Sequence, residues 1–361
     1  MSKNGQKAIP HMGIHLVFAS IAGKWRFAML KTFKIKSVAV AIGLAAGISI
    51  TDAAITIDLV NIGDVGNAAD TTGYGSVGYS YDIGKYGVTI GQYASFLNAA
   101  AQTDPYGLYN INMGTDLNVA GITQSGSSGS YTYSVMSNGG DSTNRPISYV
   151  SWFDAARFAN WLQNGQGSGS TETGAYTLNG ATSGVISKNA NATFWIPSEN
   201  EWYKAAYYDP SKAGGGGYWL YPTQSDIPPG NTIGNTPNQA NFYDTTFSVT
   251  EAVGWDTNQN YLTDEGAFSG SQSFYGTFDQ GGNVFEWNDS VDGSLHGLRG
   301  GSWFIALNGT STDMISTTRW TDDTERNITG FRVAAVPEPS TWFLLLLGVS
   351  AIFGIRKFRK A

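Results

Sequence analysis

The 361-residue sequence contains no cysteine and only three histidines. Without cysteine the chain can form neither a disulfide framework nor a thiolate metal site, and it has no thiol nucleophile. His11 and His15 lie close to the N-terminus, which leaves His296 as the single imidazole in the body of the chain. A metal site built from several histidines of one chain is therefore excluded.

Charged residues are also scarce, at 14% of the sequence, whereas aromatic residues make up 13%. Residues 54–336 hold 10 of the 21 Lys and Arg but 26 of the 28 Asp and Glu, so this span has a formal charge of −16. An acidic body repels nucleic acid and attracts cations, so no nucleic-acid partner is expected. The aromatic content indicates a folded chain rather than a disordered one.

Residues 1–53 have the features of a leader that contains a secretory signal. A basic segment, residues 29–36, precedes an apolar run, residues 37–50, and small residues follow where signal peptidase would cleave. Because these parts begin at Met29, we expect translation to start there rather than at Met1. A short buried helix is the alternative for the apolar run.

Residues 337–361 form a second targeting segment. Pro337, Glu338 and Pro339 precede an apolar run, residues 342–355, and basic residues follow it. This run is shorter than the about twenty residues that span a bilayer comfortably. The three parts resemble a PEP-CTERM sorting signal, which implies recognition by an exosortase, a transient inner-membrane anchor, and export to the surface or matrix of a Gram-negative bacterium that makes exopolysaccharide. A permanent single-pass anchor is the alternative.

The body, residues 54–336, is expected to form one domain. Alternation of apolar and polar residues predicts early strands in ITIDLVNIGD and GYSYDIGKYGVT, and GFRVAAV predicts a last strand at residues 330–336. Polar stretches rich in Gly and Ser are predicted to be loops, at residues 121–134, 163–174 and 213–217.

Three helices are predicted from their first residues. In a capping box the N-cap hydroxyl and the side chain three positions later each accept a hydrogen bond from the other's backbone amide. The required spacing joins Thr89 to Gln92, Ser151 to Asp154, and Ser198 to Glu201.

Six sequence blocks resemble the sulfatase-modifying-factor family, that of the formylglycine-generating enzymes. They span about residues 58–335 in the family's order: GKYGVTIGQYASFLNA, RPISYVSWFDAARFANWL, WIPSENEWYKAAYY, YGTFDQGGNVFEWN, LRGGSW and GFRVA. The resemblance implies an α+β fold of the C-type-lectin-like kind, with long loops, short strands and about three helices.

The redox centre of that family is missing from this sequence. Its formylglycine-generating members bind copper through two cysteines after a Gly-Gly-Ser-aromatic motif, here residues 300–303, and by position these cysteines fall at Ile305 and Thr310. Neither side chain replaces a soft thiolate. A related branch, the sulfoxide synthases, holds iron with three histidines, which His296 alone cannot do. Neither copper nor iron is expected, and His296 is predicted to be a turn residue near a strand.

The segment FDQGGNVFEW, residues 278–287, carries the remaining candidate metal site. Calcium binds hard oxygens, both carboxylates and carbonyls. The resemblance implies a structural calcium ion held by the side chains of Asp279 and Glu286 and by the carbonyls of Gln280, Gly282 and Val284. The alternative is a Gly-rich turn with a buried, hydrogen-bonded Glu286 and no metal. A second calcium site is considered at Asn241 and Asp264.

No catalytic residue is predicted. Neighbouring carboxylates can share acid and base roles, but in so acidic a chain they are usually solvated, and Glu201 is expected to serve as a cap. The pairs considered are Asp322 with Asp323, Glu199 with Glu201, and Asp264 with Glu265.

The combined expectation is an exported, non-catalytic binding module that acts on surface glycans or exopolysaccharide. This expectation depends on fold analogy and compartment. One alternative is a metal-dependent oxidoreductase of the same family with an unrecognised site. The other is a purely structural matrix protein.

Overall fold

The computed structural model describes residues 54–304 and 311–337. The signal segment, most of the sorting segment, and both Ile305 and Thr310 lie outside these ranges. The helices are α1 (Ile90–Ala100), α2 (Asn112–Thr115), α3 (Trp152–Gln163) and α4 (Glu199–Tyr207), with a 3-10 turn at Ser311–Met314. No helix in the described part is long and apolar enough to cross a membrane, and the apolar run at residues 342–355 is outside it.

The strands are short, and most have between two and five residues. They are β1 (Leu59–Ile62), β2 (Tyr81–Gly84), β3 (Ile122–Ser125), β4 (Thr132–Val135), β5 (Phe194–Trp195), β6 (Tyr208–Asp209), β7 (Gly217–Tyr218), β8 (Tyr243–Asp244), β9 (Thr246–Phe247), β10 (Phe285–Asp292), β11 (Leu295–Arg299), β12 (Trp320–Asp322), β13 (Thr329–Gly330) and β14 (Ala334–Ala335).

The three predicted helices are confirmed, each with its capping box. In α1, Thr89 Oγ1 accepts from the Gln92 amide at 3.3 Å, and Gln92 Oε1 accepts from the Thr89 amide at 2.9 Å. The same reciprocal bonds start α3 and α4. Because these contacts join residues three positions apart, they form wherever the local sequence permits.

Two four-stranded sheets organise the domain. The first has the order β1-β2-β14-β5, so a strand from the end of the domain lies between strands from its first half, with Ala334 opposite Ile83. The second has the order β12-β11-β10-β13, in which β10 and β11 form a hairpin and β13 runs parallel to β10. Both sheets therefore depend on residues after 319 to complete them.

Aromatic side chains fill the main core between the sheets and the helices. Phe158 of α3 contacts Phe96 of α1 and Phe331 edge-on, with ring centroids 5.4 and 5.3 Å apart. Phe285 and Trp287 of β10 enter the same core. Since alternate residues of a strand face opposite sides, Glu286 between them faces away from that core.

Three sequence expectations need correction. The stretch at residues 121–134 is a hairpin, β3 paired with β4, because only its central Gly- and Ser-rich residues turn. The four-residue α2 was not predicted. His296 is not a turn residue: it lies inside β11 with 2% of its surface exposed, since the hairpin turn falls just before that strand.

Candidate functional site

The turn at residues 278–284 is held by backbone conformation and by one amide side chain. Asp279, Gly282 and Asn283 all have positive φ angles, of 55°, 80° and 61°. A Cβ on Gly282 would lie 2.4 Å from the backbone oxygen of Asn241, so only glycine fits there. Asn283 Oδ1 accepts from Asn241 Nδ2 and from the Thr263 amide, and its Nδ2 donates to the Thr263 carbonyl. The side chain of Asn283 therefore braces the turn.

Glu286 is engaged in a buried ion pair with Arg332. The guanidinium donates to both carboxylate oxygens, at 2.6 and 2.7 Å. Trp202 Nε1 donates to the same carboxylate at 2.6 Å. The remaining hydrogen bonds of Arg332 go to the carbonyls of Gly84 and Phe278, at 2.8 Å each, and to that of Lys85 at 3.5 Å. This network ties the turn to the end of the domain.

Two further carboxyl groups, those of Asp279 and Glu265, interact with each other next to this network. Asp279 Oδ2 accepts from the Gly266 amide at 2.6 Å, and Glu265 Oε2 accepts from the Gly87 amide at 3.2 Å. Burial raises the pKa of Glu265 well above its ordinary value, and the charge of Asp279 adds to the rise. Burial also raises the pKa of Asp279, while hydrogen bonds from Gly266 and Glu265 oppose it. The pair holds a proton more strongly than two solvated carboxyls do.

Calcium does not fit the oxygens of Glu286 as they are placed, because a guanidinium already occupies both of them. The described part of the chain contains no group of three or more His, Asp or Glu side chains arranged to hold a metal ion. Calcium at Asp279, Gln280, Gly282, Val284 and Glu286 stays a prediction, and the contacts of Glu286 match the hydrogen-bonded turn that was its alternative.

The two residues of the second calcium candidate, Asn241 and Asp264, also contact protein groups. Asn241 uses its amide nitrogen on the Tyr261 carbonyl and on Asn283 Oδ1. Asp264 is solvent-exposed, with its carboxylate 4.0 Å from Arg145 Nε. The two side chains are therefore committed to different neighbours.

The acidic residues of α4 are structural. Glu199 pairs with Arg299 and with Arg319, the latter at 3.0 Å. Glu201 accepts from the Ser198 amide at 2.7 Å and from Trp195 Nε1 at 3.0 Å. Both carboxylates are saturated by protein donors, so neither is available as a general acid or base.

A cavity of about 300 Å³ opens beside β12, and we name it the Trp320 cavity. We call its most buried apolar side chains, Phe285 and Leu298, the floor, and its more exposed charged side chains, Asp322 and Arg326, the rim. The indole ring of Trp320 also lines it. The lining residues are Phe285, Leu298, Trp320, Thr321, Asp322, Arg326, Ile328 and Thr329. An apolar surface with a few convergent polar groups is the usual form of a small-molecule site.

The rim of the Trp320 cavity carries an ion pair that is open to solvent. Arg326 Nε donates to Asp322 Oδ2 at 2.6 Å, and 53% of the Arg326 side chain is exposed. Hydrogen bonds from Arg326 and from Thr324 help to lower the pKa of Asp322 below its ordinary value, despite partial burial. Among the described residues, Nε is the only guanidinium nitrogen of Arg326 with a hydrogen-bond partner. The other two nitrogens can donate to a ligand.

The chain belongs to the family of the sulfatase-modifying factor enzyme 1-like domain, whose profile matches residues 68–336. The expected α+β, C-type-lectin-like fold with short strands and few helices is confirmed. A PEP-CTERM protein-sorting motif matches residues 335–360, which implies processing by an exosortase and export to the cell envelope or surface. No curated protein sequence matches the chain.

Several solved structures are similar to the chain. CarF is 21% identical, with 78% of this chain and 99% of CarF covered and a TM-score of 0.46. Treponema denticola variable protein 1 is 17% identical, with 80% and 98% covered and a TM-score of 0.42. PvdO from Pseudomonas aeruginosa is 15% identical, with 78% and 92% covered and a TM-score of 0.38.

The residues of the Trp320 cavity were not identified from the sequence. Asp322 was considered only beside Asp323, as a carboxylate pair. The available signal was the spacing of Asp322 and Arg326, four positions apart, beginning two positions after a tryptophan. That spacing does not reveal the apolar floor, because Phe285 and Leu298 come from other strands.

Proposed function

We propose that this exported protein is a non-catalytic binding module that holds neutral sugar units of a surface glycan or exopolysaccharide in the Trp320 cavity. The observation that carries the proposal is the combination, in one cavity lining, of an indole ring with an Asp322–Arg326 pair whose arginine side chain is half-exposed. A sugar ring has an apolar C–H face and a polar hydroxyl edge. The cavity offers a surface for each.

The hydroxyl edge of a sugar is matched by the ion pair. The carboxylate of Asp322 accepts hydrogen bonds, whereas the guanidinium of Arg326 donates several in a fixed plane. Two neighbouring hydroxyls can therefore each find a partner of the right kind. Hydrogen bonds to charged groups are stronger than neutral ones, which favours a ligand that replaces water at this rim.

The charge of the domain favours a neutral ligand over an acidic one. Residues 54–336 carry a formal charge of −16, and this field repels polyanions such as polyuronates. Arg326 does not offset that field, since Asp322 already neutralises it at 2.6 Å. Neutral hexose polymers avoid the repulsion.

The test is isothermal titration of the full chain with tetrasaccharides of glucose, mannose and galactose, and with tetragalacturonate. At least one neutral tetrasaccharide is expected to bind, and Trp320→Ala is expected to weaken it about tenfold or more. Trp255→Ala is the matched control, because Trp255 is 56% exposed and lies outside the cavity lining. Arg326→Met is a second variant, since removal of an exposed side chain leaves the core intact.

Two results would overturn the proposal. If none of the neutral tetrasaccharides binds, the purely structural matrix protein becomes the better explanation. If one binds but Trp320→Ala and Arg326→Met bind as tightly as the wild type, the sugar is held elsewhere on the surface.

A further inference from the structure

The buried His296 lies against a second cavity, which we name the imidazole cavity. It has a volume of about 260 Å³, and its lining consists of two aromatic residues, an imidazole, three hydroxyl side chains, a glycine and a carboxylate. These residues come from the start of α3, the loop at residues 182–184, the β10–β11 hairpin and the residue after β12. Among the described residues, none lines both this cavity and the Trp320 cavity.

The imidazole of His296 is stacked on the indole of Trp152. Their ring centroids are 4.1 Å apart and their planes differ by 9°. Phe153 meets the same imidazole edge-on, at 5.7 Å. His296 and Trp152 are only 2% and 1% exposed. The two stacked rings are thus fixed in position by packing on one side of the cavity.

Both stacked rings carry a nitrogen that no protein group satisfies. Among the described residues, neither Trp152 Nε1 nor His296 Nε2 has a hydrogen-bond partner. A buried polar atom without a partner destabilises the folded state, and such atoms are rare in proteins. Both atoms belong to residues that line one cavity, which also holds hydroxyl groups, so we infer that their partner comes from outside the chain.

We propose that the imidazole cavity binds a small neutral polyhydroxyl ligand, such as a single hexose or a polyol. One ligand hydroxyl accepts a hydrogen bond from Trp152 Nε1–H. Another hydroxyl donates to His296 Nε2 or accepts from it, according to the imidazole tautomer. A hydroxyl group suits both positions, because it donates and accepts, whereas an indole nitrogen only donates. Ser294 and the exposed Thr182 and Ser183 supply further hydroxyl partners.

Size and charge restrict the ligand further. A volume of about 260 Å³ is smaller than the about 300 Å³ at which pockets for drug-sized ligands begin, so one sugar ring fits better than a chain. Burial lowers the pKa of His296 to about 4, so the imidazole is uncharged near neutral pH and attracts no anion. The carboxylate of Asp323 on the lining also disfavours anions.

The test is an NMR titration of the full chain, labelled with ¹⁵N in histidine, with glucose, galactose, mannose, myo-inositol and glycerol as probes. The His296 signals are assigned by their loss in His296→Phe, a variant that keeps a ring against Trp152 and removes both nitrogens. At least one probe is expected to shift the Nε2 signal of His296 in a saturable way at millimolar concentration. His296→Phe is expected to lose this binding while its melting temperature is equal to or above that of the wild type.

The proposal is overturned if no probe shifts the Nε2 signal, or if His296→Phe binds the same probe with unchanged affinity. If that variant does not fold, the indole N–H signal of Trp152 in wild-type protein gives the same decision, because the ligand must shift it too. Trp320→Ala separates this proposal from the glycan proposal, since it lies in the other cavity and is expected to leave the titration unchanged.

Discussion

Arg332 and Glu286 form a two-pronged ion pair in which both guanidinium–carboxylate contacts are shorter than 2.8 Å and both side chains are removed from water. The pair joins β10, in the second sheet, to the segment that leads into β14, in the first sheet. It also explains why a glutamate is placed between Phe285 and Trp287, two core residues. The carboxylate is a partner for a buried cation that itself holds the carbonyls of Gly84 and Phe278.

Glu286→Gln is expected to destabilise the protein by about 3–5 kcal/mol, because it leaves the guanidinium of Arg332 buried without its counter-charge. Urea unfolding at neutral pH measures the change. The matched control is Arg326→Met, which breaks an ion pair whose arginine is 53% exposed and is expected to cost at most about 1 kcal/mol. If the two variants lose equal free energy of unfolding, burial of the Glu286–Arg332 pair does not contribute to stability.

Gly282→Ala is expected to be more damaging than Gly276→Ala. Both glycines have a positive φ, of 80° and 86°, so both substitutions carry a backbone strain of about 1–2 kcal/mol. A methyl at position 282 also meets the Asn241 oxygen at 2.4 Å, whereas a methyl at position 276 has nothing within 4 Å. The clash adds about 1–3 kcal/mol. Equal unfolding midpoints of the two variants would contradict the close approach of the turn to Asn241.

The buried capping residue Asp154 makes stability depend on pH. Burial, with the charge of Glu325, raises its pKa to about 7. The folded protein then keeps a proton that the unfolded chain releases above its ordinary pKa, so the contribution of this group is full at low pH and is lost as the pH rises through about 7. Asp154→Asn does not titrate. The wild-type stability minus that of the variant is expected to fall between about pH 4 and about pH 7; a constant difference would show an ordinary pKa.

Calcium removal tests the turn at residues 278–287. Because Arg332 occupies the oxygens of Glu286, addition of a calcium chelator is expected to leave the melting temperature unchanged. Scanning calorimetry with and without the chelator provides the measurement, and magnesium-saturated chelator is the control for ionic strength. A clear fall in melting temperature that added calcium reverses would show that a calcium ion contributes to the fold.

The sequence predicted those parts of the structure that depend on residues close together in the chain. Each capping box joins residues three positions apart, so Ser198 and Glu201 could be paired by spacing alone. The six sequence blocks that resemble the family then indicated the α+β fold in which these helices and strands combine. Residue spacing alone does not indicate that fold.

The partners that decide the chemistry of the sites are distant in sequence and could not be found in the same way. Arg332 meets Glu286 46 positions away and Gly84 248 positions away. His296 was predicted to be a turn residue near a strand, whereas its packing on Trp152, in another element, makes it a buried strand residue. The Trp320 cavity likewise exists only where β10, β11 and β12 meet.

Retention of the protein on polysaccharide extracted from the bacterium that produces it tests the central claim most directly. Wild-type protein and Trp255→Ala are expected to be retained, whereas Trp320→Ala and Arg326→Met are not. Added neutral tetrasaccharide is expected to release the bound protein. Retention of Trp320→Ala to the same extent as wild type, or no retention of wild type, would contradict the assignment of this domain as a glycan-binding module.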